Sequence, residues 1–239
     1  MNTLPNYVSS TAFLIADPAR AAMLIALVDG RALPAGELAY AAGVTAQTAS
    51  SHLAKLLAGG LLTVETEGRH RYYRLAGSDV AQALEHLAAL RPSEAVRHKP
   101  LSREGLGLRF ARCCYDHLAG QLGVAVTQAL QERQYIAQAA EKQFLVTPSG
   151  REWFGDMGLD VSALKPTRRG LARQCLDWTE RRHHLAGTLG VQFMTLLCSN
   201  GWLRRSKSSR AVEVTPKGWA GFREQLGVDH CSVMPQSTL

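Results

Sequence analysis

The sequence lacks the features that define several large classes of proteins. Its 239 residues contain no apolar run near the ~18 to 20 residues that a membrane-spanning helix needs. The first residues lack the basic-then-apolar order of a signal peptide. There is no low-complexity tract, and 46% hydrophobic residues are too many for a disordered chain. We therefore expect a globular, cytoplasmic protein with no membrane partner, and the length favours two domains.

Cysteines and catalytic motifs are also scarce. The five cysteines are an odd number in a chain too long to depend on cross-links, which argues against a disulfide scaffold and for reduced thiols. The sequence has no phosphate-binding loop, no nucleophile elbow and no paired catalytic carboxylates. We therefore predict that the protein is not an enzyme.

Positive charge, in contrast, is in excess. The 27 Lys and Arg residues against 20 Asp and Glu give a net charge of +7, and a basic surface attracts the phosphate backbone of nucleic acids. The excess is uneven, because residues 1–90 contain 6 basic and 7 acidic residues. A nucleic-acid function must therefore be argued from motifs and not from net charge.

Residues 7–90 carry the signals of short helices followed by a hairpin. Asp17 and Thr45 are good N-cap residues, Gly43 ends a helix, and Gly68 suits a hairpin turn. The expected elements are helices over 7–16, 19–28, 33–42, 46–58 and 78–90, and strands over 61–65 and 71–75. Helix, turn, helix and hairpin in this order predict a winged helix-turn-helix.

Two motifs in this segment resemble those of a known family. The pattern SxHLxxLxxxGL over residues 50–61 and the pattern GRxRYYRL over residues 68–75 are similar, in sequence and in order, to the ArsR-type winged-helix repressors. The resemblance covers about the first 90 residues. It implies a regulator that binds double-stranded DNA; an enzyme, or a module that binds only protein, is the alternative.

The predicted helix over 46–58 has two different faces. Leu53, Leu56 and Leu57 share one stripe that is expected to pack inward. The other face carries short polar side chains that reach base edges and phosphates in a major groove, and the basic hairpin tip suits the minor groove or the backbone. The predicted DNA-binding residues are Thr45, Gln47, Thr48, Ser50, Ser51, His52, Lys55, Arg69, His70 and Arg71.

A homodimer is expected, because one recognition helix reads too few bases for useful specificity. Two-fold proteins read inverted repeats, so we expect an inverted-repeat operator. The helices over 7–16 and 78–90 are the predicted dimer surface, the second with apolar Leu84, Leu87 and Leu90. Repression is favoured over activation, with an effector that loosens DNA binding by shifting the dimer between two geometries.

The second half of the chain repeats itself. The sequence CYDHLAGQLGV of residues 114–124 recurs as CLDW in 175–178 and, after six residues, as LAGTLGV in 185–191. The pattern FLVTPSG of 144–150 recurs as VEVTPKG in 212–218. A match over ~50 residues predicts two copies of one module, each running helix, helix, short strand, helix.

Four segments follow from these observations. Residues 1–90 are predicted to bind DNA and dimerise, residues 91–108 to be a basic linker, and residues 109–164 and 165–239 to be the two repeats of an effector module, the second with a tail. The predicted fold class is mainly α with small β-hairpins, an α+β arrangement in which a winged helix-turn-helix precedes two winged-helix-like repeats. A cleft between paired repeats is a natural ligand site.

The metal sites of the resembling family are not expected here. In that family metal is bound by a Cys-x-Cys on the helix before the recognition helix, or by carboxylates and histidines on the closing helix. Residues 37–42 read ELAYAA, without cysteine, and the closing helix has Asp79 and His86 but no second pair. An arsenic or zinc function therefore cannot be assumed from the resemblance.

The repeats offer their own candidate ligands. Cys114 and His117 lie three apart on a predicted helix and so share a face, and the second repeat has Cys175 and His184 (or His183) at related positions. Two cysteines and two histidines suit zinc or another soft divalent metal.

Three other interpretations stay open. In the first, the cysteines are small buried residues and the histidines pair with Asp116 and Asp177. In the second, the adjacent thiols Cys113 and Cys114 form a redox or electrophile sensor, activated by a neighbouring arginine and histidine. In the third, Trp178 and Arg181 line a pocket for an anionic organic ligand.

Overall fold

The computed structural model describes residues 4–68, 70–90, 103–167, 170–206 and 209–233. The chain divides into two compact units, Met1–Leu84 and Glu85–Leu239. Of the predicted linker, residues 91–102 lie outside the described residues. Residues 103–108 of it belong to a helix.

The first unit is a winged helix-turn-helix with one three-stranded antiparallel sheet of order β1-β3-β2. The predicted helix over 33–42 proved shorter, since its first two residues form a strand that pairs with Tyr72 and Tyr73. The elements are α1 (Leu4–Ala16), α2 (Pro18–Ala26), β1 (Leu33–Pro34), α3 (Ala35–Ala42), α4 (Ala46–Ala58), β2 (Leu62–Glu67), β3 (His70–Leu75) and α5 (Ser78–Ala89), in which the unit ends.

Local signals set the ends of these helices. The Asp17 carboxylate accepts a hydrogen bond from the Arg20 amide at 2.9 Å, and the Thr45 hydroxyl accepts one from the Thr48 amide at 3.2 Å. Each side chain thereby satisfies one of the amides that the first turn of a helix leaves without a partner. Gly43 ends α3 in the left-handed conformation, with φ of 63°. The turn between α3 and α4 is thus fixed by residues on both sides.

The core of the first unit lies under α4. Leu53 and Leu56 are buried as predicted, together with Leu24 of α2 and Leu38 of α3. Each such side chain contributes about 1.5 to 3 kcal/mol by its burial. Leu57 is only half-buried. The inward stripe of α4 leaves its polar face outside.

The second unit consists of two segments with the same element order: strand, strand, helix, strand, strand, helix. A short helix, α6 (Arg103–Phe110), precedes them. The first segment contains β4 (Arg112–Cys114), β5 (His117–Ala119), α7 (Gly120–Glu132), β6 (Ile136–Ala139), β7 (Gln143–Val146) and α8 (Pro148–Asp156), followed by a 3-10 turn (Val161–Ala163). The second contains β8 (Arg173–Leu176), β9 (His183–Ala186), α9 (Gly187–Ser199), β10 (Leu203–Arg205), β11 (Val212–Val214) and α10 (Pro216–Leu226), followed by α11 (His230–Val233).

The prediction that each repeat begins with a helix was wrong. Cys114 and His117 lie opposite each other on the antiparallel strands β4 and β5, with Tyr115 and Asp116 as the two-residue turn. Tyr115 has φ of 52° and the Asp116 amide donates to the Cys114 carbonyl at 2.6 Å. Residues i and i+3 are neighbours on a helix and also across a two-residue hairpin turn, so their spacing alone fits both.

The two segments exchange strands. The hairpin β6–β7 of the first segment pairs with β8 of the second, giving a four-stranded sheet of order β6-β7-β8-β9. In return, residues beside β10–β11 pair with β4: the Cys113 amide donates to the Arg210 carbonyl at 2.9 Å, and the Val212 amide to the Ala111 carbonyl at 3.0 Å. Each segment therefore completes a sheet of the other.

A single hydrophobic core runs through the second unit. It includes α7 and α9, whose Leu122, Leu130, Leu189 and Leu197 are fully buried, and Phe154.

In the part of the chain that the structure describes, no single helix is long and apolar enough to cross a membrane. The helices α1 and α2 taken together have the length and the apolar composition of a membrane span, but the chain bends by 88° between them.

Candidate functional site

The polar face of α4 is exposed as predicted. The hydroxyls at its start are partly engaged: Thr45 and Thr48 lie 2.9 Å apart, and the Ser50 hydroxyl donates to the Ala46 carbonyl at 3.0 Å. These contacts anchor the first turn of the helix. The exposed predicted DNA-binding residues of this face are Thr45, Gln47, Thr48, Ser50, Ser51 and Lys55.

His52 differs from the rest of that set. Its side chain is only 15% exposed, and its Nδ1 lies 3.8 Å from the Asp17 carboxylate that caps α2. His52 therefore faces the N-terminus of α2, and its contact with DNA stays a prediction.

The wing is the hairpin β2–β3. His70 and Arg71 are exposed on β3, whereas Arg69 lies outside the described residues. Behind the tip, Arg74 forms an exposed ion pair with Glu65 at 3.2 Å. The exposed side chains near the tip thus include the acidic Glu67, opposite His70, besides Arg71.

The helix α1 carries apolar side chains without burying them. None of its described residues is buried, and Tyr7, Val8 and Phe13 are 56%, 62% and 72% exposed. The helix is nevertheless fixed, because the buried Arg20 guanidinium donates to the carbonyls of Leu14 at 2.6 Å and of Phe13 at 2.8 Å. An ordered, exposed apolar helix has the character of an interface. On and just after α5, Leu87 and Leu90 are also exposed, while Leu84 is buried.

The second unit brings four predicted ligands together. One donor atom from each of Cys114, His117, Cys175 and His184 lies within 4.8 Å of all the others. The two sulfurs are 4.0 Å apart and the two Nε2 atoms 3.1 Å apart. Cys114, His117 and His184 are buried and Cys175 is half-buried. Each cysteine is the direct cross-strand partner of its histidine, on β4–β5 and on β8–β9.

Carboxylates lie behind both histidines. Asp116 contacts His117 Nδ1 at 2.8 Å, and Asp177 Oδ2 lies 3.6 Å from His184 Nδ1. Both imidazoles therefore turn Nδ1 to a carboxylate and Nε2 to the centre of the cluster. The predicted association of these aspartates with the histidines is present in the geometry.

Asp177 has a second role, which the sequence did not reveal. Its Oδ2 also accepts hydrogen bonds from Arg112 at 2.9 Å and from the Gly120 amide at 2.7 Å. Arg112 and Asp177 have fully buried side chains, and the Arg112 guanidinium lies 4.9 Å from the Trp178 ring centre. In the sequence, the position of Arg112 next to two cysteines suggested that it activates a thiol. Nothing there indicated Asp177 as its partner.

Electrostatics in this region follow from burial and close charges. The hydrogen bond to Cys175 and burial raise the pKa of the Cys114 thiol. Burial lowers the pKa of His117, but the Cys114 sulfur and the Asp116 carboxylate raise it by more, so its pKa is raised. Burial by itself raises the pKa of Asp177, but the charges of Arg112 and His184 lower it by more. The pKa of this carboxyl is therefore well below its usual value. The carboxylate of Asp177 is therefore charged at neutral pH.

The vicinal thiol pair is separated by its strand. Successive side chains of a strand point to opposite faces, so Cys114 faces Cys175 while Cys113 is buried in the hydrophobic core, 3.6 Å from the Tyr115 carbonyl. The two thiols of the predicted redox or electrophile sensor therefore lie on opposite faces of the strand, and a sensing role stays a prediction. The thiol that Cys114 does approach is Cys175.

The aromatic anion pocket is also not assembled as expected. Trp178 covers the Arg112 guanidinium. Arg181 is exposed in the β8–β9 loop, where its backbone has φ of 54° and its amide donates to the Asp177 carbonyl at 2.8 Å. Trp178 thus shields a buried ion pair, and Arg181 shapes the loop.

Comparison with known proteins identifies the family. A helix-turn-helix domain family matches residues 15–65. The uncharacterized HTH-type transcriptional regulator YdfF of Bacillus subtilis (strain 168) is 43% identical over 224 residues, which cover 94% of this chain and 98% of that protein. The chain belongs to the HTH-type transcriptional regulators. Since the similarity to YdfF runs almost end to end, this regulator shares its second unit with that relative and not only its DNA-binding unit.

Two shorter similarities concern one mycobacterial regulator. The HTH-type transcriptional regulator CmtR of Mycobacterium tuberculosis (strain ATCC 25618 / H37Rv) is 44% identical over 73 residues, 30% of this chain and 61% of that protein. The NMR structure of the cadmium metal-sensor CmtR from Mycobacterium tuberculosis has 32% identity and a TM-score of 0.31, and covers 40% of this chain and 98% of that one. The predicted helix-turn-helix regulator, its α+β fold class and DNA-binding transcriptional regulation are confirmed.

Proposed function

We propose that this regulator binds an inverted-repeat operator as a cytoplasmic homodimer and releases it, as a repressor, in response to an effector sensed by the second unit. The observation that carries the proposal is the exposed polar face of α4, held on a buried leucine stripe. Gln47, Ser51 and Lys55 on that face supply the amide, hydroxyl and ammonium groups that base edges and phosphates accept.

The dimer is supported by α1. Its exposed Tyr7, Val8 and Phe13 form an apolar surface on an ordered helix, and a second copy of the same helix is a partner of matching chemistry. A two-fold dimer presents two copies of α4, so its half-sites lie about one helical turn of DNA apart.

The effector we favour is zinc or another soft divalent metal ion. The supporting observation is the convergence of two thiols and two imidazoles in the second unit, since these are the ligands that such ions prefer. An anionic organic effector has less support, because Trp178 already lies against Arg112.

DNA binding is tested by selecting sites from a random duplex library with the full chain, followed by gel shifts on the selected sequence. We expect an inverted repeat, and a steep fall of affinity with salt. Lys55→Ala should reduce the slope of log affinity against log salt by about 1 per protomer. Lys217→Ala, an exposed lysine of the second unit, is the matched control and should leave the slope unchanged. Selection of no sequence, or equal slopes for the two variants, would contradict the proposal.

A further inference from the structure

We propose that Cys114, His117, Cys175 and His184 form one closed, four-coordinate site for zinc or a comparably thiophilic divalent ion, to which each of two hairpins gives one thiolate and one imidazole. This deepens the proposed function, because it names the effector site, but binding of the ion does not depend on DNA.

The donor spacings match a tetrahedron. Zinc binds sulfur at about 2.3 Å and imidazole nitrogen at about 2.0 to 2.1 Å, so a tetrahedral site separates two sulfurs by about 3.8 Å and two nitrogens by about 3.3 Å. The observed separations are 4.0 Å for the sulfurs and 3.1 Å for the nitrogens. These two spacings differ from the tetrahedral values by about 0.2 Å each, and the sulfur–nitrogen distances lie within 4.8 Å.

Strand register, and not sequence spacing, places the ligands. Cys114 opposes His117 across a two-residue turn, and Cys175 opposes His184 across a longer loop. The separation of nine residues in the second hairpin resembles no common zinc motif, yet it gives the same cross-strand pair as the first. Each hairpin therefore offers the same two donors on one face.

The histidines are oriented as metal ligands are. A ligating histidine usually donates its other ring N–H to a carboxylate or carbonyl, which fixes the tautomer. Asp116 is placed to accept from His117 Nδ1 at 2.8 Å, and Asp177 lies on the Nδ1 side of His184. With a proton on each Nδ1, both Nε2 atoms can offer a lone pair to an ion between them, and the two atoms lie 3.1 Å apart.

The surroundings favour an ion without an open coordination position. His184 has a fully buried side chain, and His117 is 5% exposed. Buried polar groups of this kind are costly unless they are satisfied. Four protein donors fill a tetrahedral zinc site, so the bound ion joins the two hairpins and leaves no position for a substrate. Binding of the divalent ion replaces the protons of the two thiols, which leave to solvent.

The test uses the full reduced chain, stripped with a chelator and titrated with cobalt(II) and then zinc. We expect one cobalt per chain, with the intense visible bands of tetrahedral cobalt and a near-ultraviolet sulfur-to-cobalt band, both lost when zinc is added. Native mass spectrometry should show one zinc ion less two protons per chain.

Variants separate this site from other thiols. Cys175→Ser and His184→Gln should each weaken cobalt binding by at least ~10- to 100-fold, which is the loss typical when a residue that only hydrogen-bonds to a metal ligand is changed. Cys231→Ser, an exposed thiol outside the cluster, should bind as the parent does. Weak octahedral cobalt spectra from the parent, or parent-like binding by Cys175→Ser, would overturn the proposal. Since these readouts use no DNA, a bound ion that leaves DNA affinity unchanged would contradict the ion as effector but not the site.

Discussion

The two units keep their functional side chains in different environments. In the first unit, Gln47, Ser51 and Lys55 are exposed, and α1 has exposed apolar side chains. In the second unit, Arg112 and Asp177 are fully buried. An exposed group loses little when its partner is absent, because water replaces it. A buried charged or polar group has no such replacement. The functional side chains of the first unit can therefore bind and release partners at low cost, whereas those of the second unit depend on a fixed internal arrangement.

The sharpest test of the exposed side of this contrast is the dimer surface. Phe13→Ser removes an apolar side chain from each copy, at about 1.5 to 3 kcal/mol per copy and so about 3 to 6 kcal/mol per dimer. We expect the dimer dissociation constant to rise at least ~100-fold, as measured by sedimentation equilibrium. Tyr40→Ser, which alters a 91% exposed aromatic outside α1, is the control. Equal dimer stability in the two variants would place the interface elsewhere.

On the buried side, Arg112→Ala leaves Asp177 charged and without its main partner. Breaking a buried pair in this way costs about 3 to 5 kcal/mol. The exposed pair of Arg109 with Glu180, at 3.1 Å, provides the comparison, since Arg109→Ala should cost about 0 to 1 kcal/mol. Urea unfolding followed by tryptophan fluorescence measures both, because all four tryptophans lie in the second unit. Similar losses in both variants would mean that burial does not distinguish them.

Acid should weaken the second unit through the same carboxylate. The pKa of Asp177 is lowered in the folded chain, so its stabilisation is complete above the ordinary carboxyl pKa of about 4 and is lost as the pH falls below it. We expect Asp177→Asn to be less stable at neutral pH and to lose less further stability between about pH 5 and pH 3. Unfolding midpoints across this range test it, and parallel curves for parent and variant would show that Asp177 does not titrate with folding.

The smallest effect is expected at the start of α4. Thr45→Ala removes the hydroxyl that accepts from the Thr48 amide and should cost about 1 kcal/mol. Hydrogen exchange of the first α4 amides should quicken accordingly. Ser50→Ala, whose hydroxyl donates to a carbonyl within the same helix, should leave these amides nearly unchanged. Faster exchange in both variants would mean that the cap is not what holds this turn.

The first unit was largely predictable because its signals are local. Asp17, Gly43 and Thr45 act on the turn in which they lie, and the leucine stripe of α4 follows from helical periodicity. The approach of His52 to Asp17 was not predictable, because Asp17 lies 35 residues away in sequence and no periodicity indicates it.

The second unit was predictable in its residues and not in its geometry. The repeat identified Cys114, His117, Cys175 and His184. A spacing of three residues fits a helix and a tight hairpin equally, so the prediction of a helix at Cys114 and His117 was wrong. The pairing of Arg112 with Asp177 joins residues 65 apart, so it depends on the tertiary fold alone.

The exchange of strands between the segments of the second unit bears on how the protein is made. When the first segment has just been synthesised, the edge strand β7 has no β8 to pair with. Its β4 also lacks its partners, which are residues 210–212. A nascent chain that stops after the first segment thus exposes open strand edges, which invite association with other chains. Synthesis must reach β8 and β9 before the four-stranded sheet is complete, and residues 210–212 before β4 gains its second neighbour.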